Sequence, residues 1–247
     1  MTESVIYKDN LKLIISRPQK CSADYSVLFI HGGAWKNGTA ELFLRNMEYF
    51  EQKGITSASV EYRTVTEGTT IDDCINDCED AVLYLKRNAE RLGIDADKIV
   101  AFGDSAGAHI AAILGTPSML KNKDAQVRLT VNCNAVCDLT GSWMNAVTWG
   151  KDIFDTYNKA YELSPIWHVD KNNSPQIILH GLKDEAVLPQ DSLKYYYELK
   201  KQGVETEIFF LPEEKHAFIL YDYYASEETV TKIMDRIVNE IEKILKI

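Results

Sequence analysis

Ile99-Val-Ala-Phe-Gly-Asp-Ser-Ala-Gly-Ala-His109 is the stretch that decides the fold of this chain. It joins an apolar run, typical of a buried strand, to small residues that favour a helix, with only a tight turn between them. A strand that reverses into a helix so sharply forces the apical residue, Ser105, into a strained backbone conformation. Gly103 and Gly107 carry no Cβ that could collide within such a turn. The spacing therefore predicts a strand, a sharp turn and a helix, with the Ser105 hydroxyl exposed at the apex.

Size and composition favour a single domain over residues 1–247. Hydrophobic residues make up 45% of the chain and charged residues 26%, which is typical of globular proteins and argues against a disordered or fibrous one. The formal net charge of −10 disfavours binding to nucleic acids or to anionic membrane surfaces, since the sequence has no compensating basic patch. We therefore expect a small-molecule partner. Composition does not indicate an oligomeric state.

The first ten residues lack the basic start and long apolar segment of a signal peptide, and no later apolar run is long enough to span a bilayer. This predicts a cytoplasmic protein. The five cysteines then favour reduced thiols, and neither the Cys74 and Cys78 pair nor the Cys133 and Cys137 pair has the spacing of a zinc site. We expect neither a metal ion nor an organic cofactor.

Apolar runs alternate with amphipathic stretches along most of the chain. The predicted strands cover residues 5–7, 11–16, 25–30, 55–62, 99–102, 127–131, 175–180 and 205–211. The predicted helices cover residues 39–53, 72–92, 106–114, 190–202 and 227–245. This order predicts an α/β fold, with a doubly wound, mostly parallel sheet between two layers of helices and an antiparallel hairpin at one edge.

Between residues 138 and 169 the alternation fails, and aromatic residues crowd a stretch that is too long for a simple turn. One interpretation is an irregular connection whose aromatic side chains pack on the body of the protein. The other is a short lid that walls a substrate pocket. Trp143 and Trp149 in this stretch, together with Trp35 after a glycine pair, are our candidate pocket residues.

Ser105 needs a base, because a serine hydroxyl is a poor nucleophile at neutral pH. Among the five histidines we favour His216, which lies in a loop between the last strand and the last helix and can swing over the sheet edge. A carboxylate is needed to fix the imidazole, and we expect it in the loop after the preceding strand. Asp184 and Glu185 both lie there. Asp184 is the first choice because it is shorter and falls just past a glycine turn, and Glu185 is the alternative.

A tetrahedral intermediate also needs backbone donors at the place where its negative charge develops. The N–H of Ala106, next to Ser105, is one candidate. Gly32 and Gly33 follow the predicted strand 25–30, and residues without side chains let the backbone approach a substrate oxygen. We therefore predict an oxyanion hole formed by Gly32, Gly33 and Ala106.

These motifs resemble the esterase and lipase branch of the α/β-hydrolase family, related to hormone-sensitive lipase and to small acetyl and feruloyl esterases. The resemblance spans nearly the whole chain and rests on His31-Gly-Gly-Ala-Trp35, Glu61-Tyr-Arg63, Gly103-Asp-Ser-Ala-Gly107, Ser164-Pro165, His180-Gly-x-x-Asp184 and the His216 loop. It implies an α/β-hydrolase fold. It also implies a nucleophile, an acid, a base and three oxyanion donors, which are Ser105, Asp184, His216, Gly32, Gly33 and Ala106.

The chain departs from this family pattern at several places. Ala34 stands where the family often has a third glycine, a variant also found in arylformamidases, and residues 64–68 replace a segment that usually carries a proline. The long N-terminal cap of the hormone-sensitive-lipase type is missing, which implies a more open site. These departures leave the substrate class open.

We therefore expect a serine carboxylesterase of the α/β-hydrolase type that cleaves small, short-acyl esters through a Ser-His-Asp triad and an acyl-enzyme intermediate. The alternatives within the enzyme class are a carbohydrate acetyl or feruloyl esterase, whose substrate would be a carbohydrate ester, and an arylformamidase. From a different class comes a non-catalytic protein that uses the hydrolase fold to bind a ligand.

Overall fold

A mostly parallel β-sheet runs through the centre of the molecule. The computed structural model describes residues 1–21, 23–66, 68–141, 157–221 and 223–247. The strands in these residues are β1 (Thr2–Lys8), β2 (Leu11–Ser16), β3 (Ser26–Ile30), β4 (Thr56–Val60), β5 (Ile99–Asp104), β6 (Leu129–Cys133), β7 (Gln176–Gly181) and β8 (Thr206–Leu211). They form one sheet in the order β1-β2-β4-β3-β5-β6-β7-β8.

The first two strands are the antiparallel part of the sheet. β1 pairs antiparallel with β2 across a turn at Asp9, whose φ of 43° is left-handed, and β2 pairs antiparallel with β4. From β4 to β8 every neighbouring pair is parallel. The predicted edge hairpin and the predicted mostly parallel sheet are both confirmed.

Helices cover both faces of this sheet. They are α1 (Leu44–Gln52), α2 (Ile71–Arg87), α3 (Ala89–Leu92), α4 (Ala106–Leu114), α5 (Tyr157–Glu162), α6 (Pro189–Lys201) and α7 (Glu227–Leu245). Short 3₁₀ turns lie at Ala40–Phe43, Lys123–Ala125 and Pro165–His168. The doubly wound arrangement is therefore confirmed.

The prediction of one continuous helix over residues 72–92 is wrong. α2 ends at Arg87, and a separate single turn, α3, follows after Asn88. The Asn88 side chain donates to the carbonyl of Tyr84 at 2.9 Å, and its backbone leaves the helical region with φ −105° and ψ 12°. An asparagine side chain that hydrogen-bonds to nearby backbone offers the chain an alternative to the helical ladder.

The core lies in layers on the two faces of the sheet. Val27 and Phe29 of β3 belong to the cluster that includes α1 and α7, whereas Leu28 and Ile30 belong to the cluster that includes α2 and α4. Successive side chains of a strand point to opposite faces, so a strand buried on both sides must be apolar throughout. This explains why β3 and the first half of β5 read as apolar runs.

The carboxyl ends of the parallel strands meet at one edge of the sheet, where α/β proteins hold their sites. The loops after β3, β5, β7 and β8 begin there at His31, Ser105, Leu182 and Pro212. Residues 142–156, which contain Trp143, Trp149 and nearly half of the predicted lid at 138–169, lie outside the described residues. Among the residues that the structure describes, no helix is long and apolar enough to cross a membrane.

Candidate active site

Ser105 occupies the sharp turn between β5 and α4. Its φ of 54° and ψ of −118° place a non-glycine residue in a strained region, as the sequence predicts. An ideal Cβ on Gly103 would lie 2.2 Å from the carbonyl oxygen of Gly107, and one on Gly107 would lie 2.0 Å from that of Ile30. Real Cβ atoms do not approach backbone so closely. Both positions of this sharp strand-to-helix turn, which we call the elbow, therefore require glycine.

The structure brings Ser105, His216 and Asp184 together from three separate loops. His216 Nε2 lies 2.9 Å from Ser105 Oγ, and His216 Nδ1 lies 2.7 Å from Asp184 Oδ2. Ser105 and Asp184 are each 4% exposed. These contacts form a continuous line from hydroxyl to carboxylate, the arrangement in which an imidazole can accept a proton from the hydroxyl. Glu185, the alternative acid, is exposed to solvent.

Donors surround the Asp184 carboxylate on both oxygens. Oδ1 accepts from the backbone N–H groups of Ala186 at 2.8 Å and Val187 at 2.9 Å. Oδ2 faces His216 and also His180, whose Nε2 lies 3.2 Å away. Burial alone would raise the pKa of Asp184, but the hydrogen bonds from His180 and His216 hold it well below its usual range. The carboxylate is therefore ionised at every pH where the protein would work.

The pKa of His216 is raised above its ordinary value. Burial opposes the charged imidazolium, but the hydrogen bond to Asp184 and the negative charges of Asp104 and Asp184 outweigh it. A raised pKa makes the imidazole a stronger proton acceptor. The surroundings therefore stabilise the imidazolium that forms when this ring takes up a proton.

Asp104 is a second carboxyl group beside Ser105, and sequence reasoning assigned it no role. It is 2% exposed, and burial raises its pKa to about 6, although the nearby His216 charge and the Asn134 amide act in the opposite direction. Asn134 follows β6 with a left-handed φ of 49°, and its Oδ1 accepts the N–H of Gly181 at 3.1 Å. Asn134 thus connects the elbow side of the site to the loop that carries Asp184.

The loop after β3 folds tightly beside the elbow. Gly33 has a φ of 112°, and its carbonyl accepts the N–H groups of Lys36 and Asn37 at 3.0 and 2.9 Å. A Cβ on Gly33 would lie 2.1 Å from the carbonyl oxygen of Asn37, and one on Gly32 would lie 2.9 Å from that of Asp104. The absence of side chains here lets the backbone of this loop lie against the elbow.

Ala106 is the first residue of α4, directly after Ser105, and it is 1% exposed. The first four N–H groups of a helix have no partner within the helix. The helix dipole also favours negative charge at this end. The position of Ala106 therefore suits a backbone donor to a developing oxyanion.

A cavity of about 450 Å³ opens next to Ser105 and His216. Binding pockets for small molecules commonly measure about 300–1,000 Å³. Its lining combines the loop after β3, which we call the glycine loop, with polar side chains that include Ser105 and His216, and with an apolar wall. The described residues that line it are Gly32, Gly33, Ala34, Asn37, Gly38, Leu42, Asp104, Ser105, His216, Ala217, Leu220 and Tyr223. The volume of this cavity therefore falls within the range that suits a small molecule.

The prediction that Trp35 lines the pocket is wrong. Its side chain is 3% exposed and packs in the core, where Nε1 donates to His109 Nδ1 at 3.2 Å. Ala34 and Trp35 both have left-handed φ values, 53° and 60°, and this turn directs the indole away from the cavity. His109 in turn contacts the carbonyl of Leu163 with Nε2 at 2.7 Å. The other two candidates, Trp143 and Trp149, lie outside the described residues.

The model of the BD-FAE family matches residues 13–199, which is most of the chain and includes the glycine loop, the elbow and Asp184. The chain belongs to the BD-FAE family. Its predicted resemblance to α/β-hydrolase esterases is therefore confirmed.

The relatives of this BD-FAE chain include several esterases. An arylesterase of Saccharolobus solfataricus is 30% identical over 85% of this chain and 73% of its own length. Among the solved structures, Thermogutta terrifontis Est2 with bound propionate has a TM-score of 0.81 at 25% identity, covering 97% of this chain and 94% of its own. Thermogutta terrifontis esterase 2 phosphorylated by paraoxon has a TM-score of 0.83 at 25% identity, covering 98% and 93%.

The first five curated relatives are longer than this chain, which spans 50% to 75% of their lengths. The match to the propionate-bound Thermogutta structure nevertheless covers 97% of this chain and 94% of that one. The arylesterase and the Thermogutta esterase structures confirm the predicted enzyme class, a serine carboxylesterase of the α/β-hydrolase type.

Proposed function

We propose that this BD-FAE protein hydrolyses small, short-acyl carboxylic esters with Ser105 as nucleophile, His216 as general base and Asp184 as the acid of the triad. One observation carries the proposal: the unbroken hydrogen-bonded line from Ser105 Oγ through the His216 ring to Asp184 Oδ2, with distances of 2.9 and 2.7 Å. Nucleophile, base and orienting carboxylate within hydrogen-bond reach are the geometric signature of covalent catalysis.

Acylation begins when Ser105 Oγ attacks the ester carbonyl carbon and His216 Nε2 takes the hydroxyl proton. The carbonyl π electrons move to the oxygen, and the backbone N–H groups of Gly32, Gly33 and Ala106 hold this oxyanion. The tetrahedral intermediate collapses when the bond to the alcohol oxygen breaks and His216 gives its proton to that oxygen. The alcohol leaves, and Ser105 carries the acyl group.

Deacylation repeats these steps with water. A water molecule attacks the acyl carbon while His216 Nε2 takes one of its protons, and the same backbone donors hold the oxyanion. The bond to Ser105 Oγ then breaks, and His216 returns the proton to that oxygen. The carboxylic acid is released, and each step needs only groups that lie around the Ser105 cavity.

Asp184 supports both halves of the reaction through its charge. It accepts the Nδ1–H of His216, which leaves Nε2 free to accept a proton, and it stabilises the imidazolium that then forms. The donors on its other oxygen keep it ionised throughout the cycle. Asp184 therefore orients the base and does not itself take up the proton.

Two features support a small acyl group. The cavity beside Ser105 has a volume of about 450 Å³. Leu42, Ala217 and Leu220 form its apolar wall. The neighbouring Thermogutta structure contains propionate, a three-carbon acid, and shares this fold at 25% identity. The arylesterase among the relatives supports an aryl or other activated alcohol as leaving group.

The test is hydrolysis of p-nitrophenyl esters from acetate to decanoate by the full chain, alongside Ser105→Ala. We expect kcat/KM to be highest for the two- to four-carbon acyl groups and to decline with longer ones. Ser105→Ala should abolish turnover and labelling by a fluorophosphonate probe, because a fluorophosphonate reacts with an activated serine. Full activity in Ser105→Ala contradicts the proposed nucleophile, and absence of both turnover and labelling in folded wild-type protein favours a non-catalytic binding function.

A second panel separates the substrate classes. Methyl ferulate, acetylated xylo-oligosaccharide and N-formylkynurenine present an aromatic acyl group, a carbohydrate ester and a formamide to the same cavity. We expect each to be turned over more slowly than p-nitrophenyl acetate or propionate. A kcat/KM for one of the three above that of the short p-nitrophenyl esters replaces the proposed substrate class with that one.

A further inference from the structure

His180 is a fully buried histidine that contacts the triad carboxylate without belonging to the triad. It lies on β7, four residues before Asp184. Its Nε2 is 2.9 Å from the carbonyl oxygen of Val187 and 3.2 Å from Asp184 Oδ2. A carbonyl and a carboxylate can only accept, so we assign the proton to Nε2, which donates to both.

The other ring nitrogen is held from behind by α6. His180 Nδ1 lies 2.7 Å from Ser192 Oγ, and Ser192 is fully buried in the first turn of that helix. A hydroxyl can rotate to donate to Nδ1 while Nε2 donates towards Asp184. Ser192 therefore fixes both the orientation of the ring and the nitrogen that carries the proton.

His180 also holds the turn that grips the carboxylate. The carbonyl of Val187 accepts from His180, while the N–H of the same residue donates to Asp184 Oδ1 at 2.9 Å. The N–H of Ala186 adds a second bond to Oδ1 at 2.8 Å. One imidazole thus restrains Asp184 directly at Oδ2 and indirectly at Oδ1, through residues 184–187.

We propose that His180, backed by Ser192, is a positioning residue that aligns Asp184 Oδ2 with His216 Nδ1. The inference rests on the proposed function, because it assumes that Asp184 serves His216. The sequence places His180 only at the end of a strand, and its contact with Asp184 arises from the turn at residues 184–187.

Other titratable groups face this pair and contribute to its pH dependence. Asp104 at the end of β5 acts on His216, His180 and Asp184, and Asp191 on α6 acts on His180. Burial raises the pKa of each of these two carboxyl groups to about 6. Since the charges of both carboxyl groups change with pH close to this pair, the informative quantity is the difference between variants measured in the same buffers.

The experiment compares His180→Phe with His180→Gln in the full chain. Phenylalanine keeps a ring but removes the donor, whereas the glutamine amide can place an N–H close to the position of Nε2. We expect His180→Phe to lower kcat about tenfold to a hundredfold, as misplacement of a catalytic group does. KM should stay within about twofold, because His180 does not line the cavity beside Ser105.

The pH profile separates positioning from a loss of stability. If Asp184 is less well aligned in His180→Phe, it stabilises the His216 imidazolium less, so the pKa of His216 falls. The acid limb of the pH profile, where kcat/KM falls because the imidazole becomes protonated, then moves to lower pH. His180→Gln should restore most of kcat and return the acid limb towards the wild-type position. General destabilisation would lower the melting temperature without moving this limb.

His109→Gln is the matched control. His109 is equally buried and also contacts a backbone carbonyl, but its ring contacts Leu163 and Trp35 rather than Asp184. Burial lowers its pKa to about 4, so it does not titrate where His216 does. We expect His109→Gln to lower the melting temperature and to leave the acid limb unchanged.

Ser192→Ala serves if His180→Phe does not fold, since it removes a single oxygen from behind the ring. It should lower kcat less than His180→Phe and move the acid limb in the same direction. The positioning role is overturned if folded His180→Phe or Ser192→Ala keeps the wild-type acid limb and kcat, or if the limb moves to higher pH. Activity that persists in Ser105→Ala instead contradicts the proposed function, whatever the His180 variants do.

Discussion

Asp184→Asn isolates the charge of the carboxylate in the proposed triad from its shape. Asp184 Oδ1 accepts two backbone N–H groups at 2.8 and 2.9 Å, so the single oxygen of an asparagine would stay there. Its NH₂ group would then face the Nδ1–H of His216 across a gap of 2.7 Å, and also the Nε2–H of His180. Two donors at this distance repel each other, so His216 must shift its proton from Nδ1 to Nε2.

The shifted tautomer cannot act as a base. A protonated Nε2 lies 2.9 Å from Ser105 Oγ but has no lone pair to accept its proton. The equivalent change in a serine protease triad lowers kcat about 10⁴-fold. We expect a similar loss here, and a factor of 10⁴ corresponds to about 5.4 kcal/mol of transition-state stabilisation.

The assay is steady-state hydrolysis of p-nitrophenyl acetate at pH 8, with Glu185→Gln as the matched control. Glu185 neighbours Asp184 but is exposed, so its neutralisation should change kcat by no more than about twofold, as for ordinary surface substitutions. Thermal melting of both variants establishes that they are folded. An Asp184→Asn enzyme that keeps more than about a tenth of wild-type kcat refutes this reasoning, and a large loss in Glu185→Gln moves the acid role to that residue.

Four further outcomes follow from the contacts and charges of the described residues. Gly107→Ala should destabilise the fold by about 3 kcal/mol in urea titration, because its Cβ would lie 2.0 Å from a carbonyl oxygen. Gly33→Ala should lower kcat/KM about a hundredfold, since its φ is 112° and it is a proposed oxyanion donor. Because the pKa of His216 is raised, kcat/KM should fall with decreasing pH along an acid limb above pH 6.5. Asp77→Asn should cost about 3 kcal/mol at pH 7, because the fully buried Asp77 carboxylate pairs with Arg63. Burial would raise the pKa of Asp77, but its bonds with Arg63 and Lys8 lower it, so this deficit should shrink as pH falls below about 4.

The elbow and the loops around it could be predicted from sequence because their requirements are local. The Gly103 and Gly107 spacing reflects contacts within one tight turn. The distances of only 2.2 and 2.0 Å from an added Cβ to a carbonyl oxygen are the steric reason that was expected. That Asp184 and His216 lie beside Ser105 follows from parallel strands whose carboxyl ends share one edge. Neither inference needed knowledge of distant side-chain packing.

Other features depend on tertiary contacts that no local pattern shows. Trp35 turns into the core because two successive non-glycine residues adopt left-handed φ values, which residue type alone disfavours. The break at Asn88 depends on one side-chain bond to Tyr84 in a stretch that is otherwise periodic. His180 belongs to the His180-Gly-x-x-Asp184 motif, but the motif does not show its contact with Asp184, which exists only once the following turn has folded.

The loops of the site are joined through backbone groups at the strand ends. The Ser105 N–H donates to the carbonyl of Cys133 at 2.9 Å, which ties the elbow to β6. Asn134, the next residue, accepts the N–H of Gly181 at 3.1 Å and ties β6 to the loop that carries Asp184.

The distance between Ser105 and Asp184 therefore depends on the register of β5, β6 and β7. In this register Asp104 pairs with Cys133, and Cys133 pairs with Leu179. A one-residue shift of β6 would break both ties and turn its side chains to the opposite face. The packing that fixes this register therefore contributes to the geometry between Ser105 and Asp184.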